Sequence, residues 1–330
     1  MKIAIVKLSA LGDIVHAMVA LQFIKLARPD ISIDWLVEEG FAGVLEGNPD
    51  INQILTVNLK ALKKDKSKFF TEIKKLKGYA TNNYDLVIDA QGLIKSAIVA
   101  KLLSANVAGF DKHSTREKPA SWFYKQLISY PYDANTIDRN VAVISRPLGL
   151  EVNEQQIINK APFLFYTAGL GDVASFFAKD KANILFVIGS TWESRNYPKE
   201  KYLRVIKELD ANSLIIWGNE QEKQDADWVA GQTEKARVLP WLNFNLLKAV
   251  LAKADLVIGN DTGPTHMAWG VNTPSITLFG PTPVSRVYQT PINKVLKSPS
   301  KVNPFKLDKN DFSITEIKEN DVILLAQSLL

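Results

Sequence analysis

Ser9-Ala10-Leu11-Gly12-Asp13-Ile14-Val15-His16 follows the apolar run Ile3-Ala4-Ile5-Val6 and leads into a helical pattern from about Ile14 to Leu26. A strand, a small-residue turn with one glycine and a helix N-terminus make an arrangement that receives anions. The unpaired first-turn N–H groups and the helix dipole both present positive charge to the turn. This turn, however, carries an acid where an anion cradle wants none. Asp13 is therefore either a cap on its own helix, a role Asp favours, or a chemical group.

The pattern around that turn repeats along the chain. Strand-like runs at Ile3–Lys7, Ile33–Val37, Gln53–Val57, Leu86–Asp89 and Val107–Gly109 alternate with helical patterns at about 14–27, 67–79 and 94–103. Continuous Val/Ile/Leu runs bounded by turns indicate strands buried on both faces, hence a parallel sheet in an open α/β fold. A helix is expected over 136–148. From Leu150 to about Tyr166 the sequence turns polar and mixed, with Pro162 inside, and the interdomain connection is placed there. A second series follows, with strands Ile184–Ile188, Leu214–Trp217, Leu256–Gly259 and Ser275–Phe279, and helices near 199–209, 220–232, 245–254 and from about Thr265. The reading is two α/β domains, 1–160 and 161–312, followed by a terminal helical segment, 313–330.

Composition agrees with two folded domains. The 330 residues are 46% hydrophobic, and the net charge of +5 is mildly basic, which suits anionic substrates or a membrane surface without arguing for nucleic acid. The absence of cysteine excludes disulfides, thiolate metal sites and a cysteine nucleophile, and fits a reducing compartment. Met1-Lys2-Ile3 runs straight into a strand, with no apolar segment of signal-peptide length, and no run approaches the roughly 18 apolar residues of a spanning helix. A cytoplasmic protein, with a peripheral membrane contact left open, is the expectation.

The densest chemistry lies in the second domain. Strand Leu256–Gly259 ends at Asn260-Asp261-Thr262-Gly263-Pro264-Thr265-His266 and a helix begins. Gly263 permits close backbone approach and Pro264 suits a first helical position, so Thr262, Gly263 and the first-turn amides form a phosphate-receiving turn. Asp261 either belongs to that turn or is a plain N-cap. His266 either contacts a ligand or packs. Ser190 and Thr191 follow another strand. Arg195, shortly after, offers a planar fork to a diphosphate. Glu220, just past Leu214–Trp217, stands where an acid can accept both hydroxyls of a ribose, or is merely a first-turn acid favoured by the dipole.

The first domain offers less. Lys60, Lys63, Lys64, Lys66, Lys68, Lys74, Lys75 and Lys77 form either a solvated face or a dock for an acidic acceptor, with Lys60, Lys63 and Lys64 best placed just after a strand end. Gln91 and Gly92 also end a strand, and Arg116 sits in a polar, aromatic-flanked excursion. Together with Ser9 and Gly12 these are the candidate acceptor contacts.

Three segments, Leu8-Ser9-Ala10-Leu11-Gly12-Asp13, Asp89-Ala90-Gln91-Gly92-Leu93 and Asn260-Asp261-Thr262-Gly263-Pro264-Thr265-His266, resemble in order and spacing the ADP-heptose:lipopolysaccharide heptosyltransferases of glycosyltransferase family 9. Within that family the pattern is most like the type I, inner-core members. The resemblance implies a GT-B fold, two Rossmann-like domains facing across a cleft, with the C-terminal helix crossing back to the first domain. It implies inverting transfer of L-glycero-D-manno-heptose from ADP-L-glycero-D-manno-heptose to the Kdo of Kdo-lipid A, with no cofactor; since no Asp-x-Asp motif accompanies the nucleotide-sugar site, no essential bound metal is expected. By position it makes Asp13 the general base, Asp261, Thr262 and Gly263 the phosphate turn, and Glu220 the ribose acid. Arg195 stands where related enzymes carry a lysine. It also implies a peripheral contact with the cytoplasmic face of the inner membrane and a monomer.

Three alternatives stand beside this. A type II enzyme, adding the second heptose, would share the donor site. A nicotinamide-dependent Rossmann oxidoreductase would need Gly-x-Gly-x-x-Gly after the first strand, where residues 8–13 have one glycine. A non-catalytic nucleotide- or sugar-binding protein would keep the phosphate turn without needing Asp13.

Overall fold

Lys2–Val6 forms β1, and its residues Ile3 to Val6 are fully buried, as a strand covered on both faces requires. β1 pairs in parallel with β2 (Ser32–Glu38) on one side and β4 (Leu86–Asp89) on the other. β3 (Gln53–Val57) extends the sheet past β2, and β5 (Val107–Phe110) and β6 (Gln126–Ile128) extend it past β4. The computed structural model describes residues 1–167 and 173–330, and of Leu62, Lys63, Lys64 and Lys66 the backbone alone. The expectations for the Lys63 and Lys64 side chains therefore lie outside the described residues.

A second parallel sheet is built from β7 (Ala182–Val187), β8 (Ala211–Ile216), β9 (Ala236–Val238), β10 (Leu256–Asn260), β11 (Ser275–Phe279) and β12 (Asn293–Lys297). The two sheets run β3-β2-β1-β4-β5-β6 and β12-β11-β10-β7-β8-β9. Read from each sheet's first strand, these are one and the same order, 3-2-1-4-5-6. In such a sheet the chain leaves the first and fourth strands in opposite directions, and a crevice opens beyond their C-terminal ends. In the first sheet those ends lead to Ser9–Asp13 and Asp89–Gly92. In the second they lead to Gly189–Thr191 and Asp261–Gly263.

The short outer strands β6, β9 and β12 were not expected from the sequence. Gln126 and Leu127 are exposed and Arg237 is exposed, so neither strand carries the apolar run that marks a buried one. The first helix starts earlier than expected and is two helices, Leu11–Met18 and Ala20–Ala27.

The chain divides into two units, Met1–Phe163 and Leu164–Leu330. The terminal helix, Glu319–Gln327, falls in the second unit. Ile314, Ile317, Val322 and Ala326 join the core formed by Ile184, Phe186, Ile258 and Ile276. Glu319 pairs with Lys201 at 3.2 Å and Arg204 at 2.9 Å, and the Tyr197 hydroxyl donates to the Ile317 carbonyl. Its apolar stripe is thus spent on its own unit. Among the described residues no helix is long and apolar enough to cross a membrane.

Two features give direct tests. A Cβ on Gly259, in β10, would lie 2.5 Å from the Thr265 hydroxyl oxygen and 2.6 Å from the Val187 Cβ. Gly259→Ala is expected to destabilise the protein by about 1–3 kcal/mol, the usual cost of overpacking, read as a fall in thermal midpoint. An unchanged midpoint would mean that β7 and β10 are packed more loosely than this. Lys160, 6% exposed with its ammonium 5.2 Å from the Phe163 ring centroid, is pushed by burial from 10.5 down to about 7. Between those values the unfolded chain holds a proton that the folded chain lacks, so stability rises with pH from about 7 to 10.5. Lys160→Met should flatten that rise in denaturant titrations run at neutral and alkaline pH.

Candidate functional site

In the first unit the Ser9 turn is held from across the sheet. The Gln91 side-chain oxygen accepts from the backbone N–H of both Leu8 and Ser9, at 3.1 Å each. Gln91 and Gly92 are in turn fixed by Asp89, whose carboxylate accepts from their N–H groups at 2.9 and 3.2 Å, from Ser96 at 2.8 Å and from the Tyr124 hydroxyl at 2.7 Å. Asp89 is completely buried, and desolvation raises its carboxyl above the ordinary value despite those four donors. Gly92 has φ +69°, and a side chain there would meet the Thr115 hydroxyl, which donates to the Gly92 carbonyl. Glycine is required on both counts. Lys7 lies buried at the end of β1, donating to the Ala90 carbonyl at 2.7 Å and to Asn140 at 2.8 Å.

Asp13 sits in the first turn of its helix, partly exposed, and its carboxylate accepts from the Ala10 N–H at 3.3 Å. It is a cap, with solvent access besides. Ser9, Gly12, Asp13, Gln91 and Gly92 therefore belong to one edge of one sheet. Arg116 follows Thr115 and is exposed. Lys60 is exposed, its ammonium 4.6 Å from the Phe41 ring centroid and its N–H donating to Glu38 at 2.8 Å.

In the second unit four side chains converge on Asp261, which is 1% exposed. Arg195 reaches it at 3.3 Å, Arg286 at 3.5 Å, His266 Nε2 at 2.9 Å, and the Thr282 hydroxyl donates to it at 2.7 Å. Burial alone would raise its carboxyl. The Arg286 charge, the His266 hydrogen bond and the Arg195 charge more than reverse that and hold it far below the usual carboxylate range. This bears on the N-cap alternative. Asp261 does not cap the helix, where Thr262 is the N-cap, and it is buried. It is the counter-charge that orients two guanidiniums. His266, one turn into the helix and 3% exposed, folds back onto the same carboxylate.

The surroundings make this assembly rigid. Arg195 also donates to the Thr191 hydroxyl at 2.7 Å, and its guanidinium stacks 4.8 Å from the Trp192 ring centroid. Ser190 donates to the Trp192 carbonyl, so its hydroxyl shapes the turn. Asn260, fully buried, accepts from the Tyr197 N–H and the Tyr202 hydroxyl and donates to the Ile188 carbonyl. Two arginines against one carboxylate leave one positive charge over. The helix Gly263–Gly270 starts at the same edge, with the Gly263 and Thr265 N–H groups in its unpaired first turn. Excess positive charge beside a helix N-terminus is what a diphosphate needs.

The loop after β8 carries two acids, and the sequence singled out the first of them. Glu220, first residue of its helix, is exposed. The Glu222 carboxylate instead lies over the ends of β7 and β8, accepting from the Gly218 N–H at 2.7 Å and the Asn219 amide at 2.8 Å. A Cβ on Gly189 would fall 2.1 Å from its carboxyl carbon, so Gly189 is bare because Glu222 fills that space. The signal was present in Asn219, an N-cap whose third following residue, Glu222, points back over the turn. Arg286, 25 residues after Asp261 and outside any motif, carried no such signal.

The sequence matches glycosyltransferase family 9 (heptosyltransferase) over residues 73–305. It is 38% identical to lipopolysaccharide heptosyltransferase 1 of Campylobacter coli, covering 100% of this chain and 99% of that one. It is 30% identical to lipopolysaccharide heptosyltransferase 1 of Escherichia coli K12, covering 86% and 88%. Among solved structures, E. coli heptosyltransferase WaaC with ADP-2-deoxy-2-fluoro heptose matches over 100% of both chains, with TM-score 0.81 at 25% identity. E. coli ADP-heptose lps heptosyltransferase II has TM-score 0.75 over 100% and 98%, and at 16% identity it shares the fold. Two sheets of identical strand order, each with its polar turns at the first and fourth strands, are thus accounted for, and a nicotinamide-dependent oxidoreductase is set aside. The chain belongs to glycosyltransferase family 9, the heptosyltransferases, and is a glycosyltransferase of the GT-B fold.

Proposed function

We propose that this chain is a type I heptosyltransferase, moving L-glycero-D-manno-heptose from ADP-heptose to the Kdo of Kdo-lipid A with inversion at the anomeric carbon. The observation that carries the donor half is the Asp261 cluster, which aims two guanidiniums and a helix N-terminus at one edge. Whole-length likeness to type 1 enzymes favours the first heptose over the second. The relatives' donor chemistry, ADP bearing a heptose, suits an edge that offers both a diphosphate site and a carboxylate.

The acceptor hydroxyl oxygen attacks the anomeric carbon and forms the new glycosidic bond. The bond from that carbon to the diphosphate oxygen breaks, ADP leaves with the electron pair, and Asp13 takes the hydroxyl proton. General-base help of this kind contributes about 10²–10⁴-fold. Arg195, Arg286 and the amides of Gly263 and Thr265, beside the Thr262 hydroxyl, stabilise the charge that grows on the leaving diphosphate. Because Asp261 already fixes the guanidiniums, little reorganisation is needed as that charge develops. Glu222 accepts from the ribose hydroxyls. Ser9, Gly12, Gln91, Gly92, Arg116, Lys60, Lys63 and Lys64 make the acceptor side. The enzyme works as a monomer in the cytoplasm at the inner-membrane surface, where its lipid-linked acceptor resides.

Asp13→Asn and Asp13→Ala are expected to lower heptose transfer by about 10²–10⁴-fold while ADP-heptose affinity, measured by calorimetry, is kept. Transfer near the wild-type rate would remove Asp13 as the base. Glu222→Ala should weaken ADP binding by about tenfold to a hundredfold, the loss of charge-assisted hydrogen bonds, and Glu220→Ala should leave it within about twofold. The reverse pattern would restore the sequence assignment. Incubation with ADP-heptose and either Kdo-lipid A or its monoheptosylated product, read by mass, separates the first transfer from the second.

A further inference from the structure

Residues 60–77 hold eight lysines against two acids, six net positive charges in a chain whose total is +5. All the rest of the protein together is one charge negative. The two acids are occupied locally. Asp65 accepts from the Ser67 N–H and hydroxyl at 2.9 and 2.6 Å, and Glu72 accepts from the Asn58 N–H at 2.9 Å. Lys75 turns inward to the Thr56 hydroxyl. Lys68, Lys74 and Lys77 are exposed.

Within this field stand two large apolar side chains. Phe69 and Phe70 open the helix Phe69–Ala80 at 49% and 80% exposure, their rings edge to face with centroids 5.7 Å apart. The same helix buries Leu76, so an inward face exists and Phe70 is not on it. Phe70, Lys74 and Lys77 instead follow one another at helical spacing along the outer face. The Glu72–Asn58 bond ties the helix's first turn to the chain just beyond β3. Because β1, β3 and β4 are parallel, that is the sheet edge carrying Ser9–Asp13 and Asp89–Gly92.

We propose that Phe69 and Phe70, with the exposed Lys68, Lys74 and Lys77 of the same segment, are a docking surface for an anionic lipid bilayer. The rings enter the boundary between headgroups and acyl chains and the ammonium groups meet anionic headgroups, the two contributions that hold interfacial helices. An exposed phenylalanine pair alone would suit a protein partner. Its setting in the chain's whole excess of positive charge selects a negatively charged surface. The inference rests on the acceptor reading above, since acyl chains keep that acceptor in a bilayer, and it places the membrane at the edge where Asp13 stands.

The test is co-sedimentation of the full-length protein with phosphatidylcholine vesicles, with or without phosphatidylglycerol, and without any saccharide acceptor. Binding is expected only to the anionic vesicles, and added salt should release it. Phe69→Ser with Phe70→Ser should weaken it by about tenfold, and Lys74→Glu with Lys77→Glu by about fivefold for each lysine lost. The phenylalanine variant should keep its rate on an acceptor stripped of acyl chains and its thermal midpoint. Wild-type protein that ignores anionic vesicles, as a surface made for another protein would, overturns the proposal. So does a phenylalanine variant that loses the stripped acceptor as steeply as it loses vesicles, since the patch would then be an acceptor subsite. Vesicle binding by a protein that transfers to no acceptor would instead sink the transfer reading and leave the docking surface standing.

Discussion

Two guanidiniums, an imidazole and a hydroxyl converge on the Asp261 carboxylate, and the chemistry of the second unit depends on that convergence. A carboxylate taken out of water is costly unless its charge is met inside. Here it is met more than once. Arg195 and Arg286 hold the acid ionised, and the acid holds their planar forks in fixed directions. Arg195 could not be packed so deeply without it. The surplus positive charge is therefore held in place, which is the form of electrostatics that acts strongly on a developing anion.

The first unit makes an instructive contrast. Asp89 closes the fourth strand of its sheet, and Asp261 follows the fourth strand of the other, so the repeated topology puts a buried carboxylate at the same point twice. Asp89 is surrounded by neutral donors, two backbone N–H groups, a serine and a tyrosine, and burial raises its carboxyl. Asp261 is surrounded by cations, and its carboxyl is lowered. One acid is spent on holding a turn. The other organises charge for a ligand. Topology selects the location, and the neighbours select the role.

Much of this was legible in the sequence. Buried parallel strands announce themselves as Val/Ile/Leu runs, and the turns after them carry Gly, Asp, Thr and Asn, so β3, β4 and β11 could be bounded to the residue and the two polar edges located. What escaped notice is what local pattern does not encode. Short outer strands such as Gln126–Ile128 have too little burial to leave a signature. Arg286 joins Asp261 only through the packing of a loop after β11. The choice between Glu220 and Glu222 turned on which side chain of a helix's first turn leans back over the preceding loop, a matter of about 200° around the helix axis. Along the chain Asp261 stands with Thr262 and Gly263 in the turn, and that local pattern says nothing of its burial. Its partners come from elsewhere.

The carboxamide of Gln91 grips two successive amides, those of Leu8 and Ser9, more than eighty positions away along the chain. That single long-range clasp has a consequence for how the protein is made. During synthesis β1 emerges before its neighbours, and β2 can pair with it, and β3 with β2, early. The Ser9 turn still has nothing to close upon until β4 docks against the other side of β1 and brings residues 89–92 alongside. A loop ordered only by a distant partner is ordered late, because the chain between them must be gathered first. Within its unit Asp13 thus leaves the ribosome before most other side chains and is among the last to be set in place.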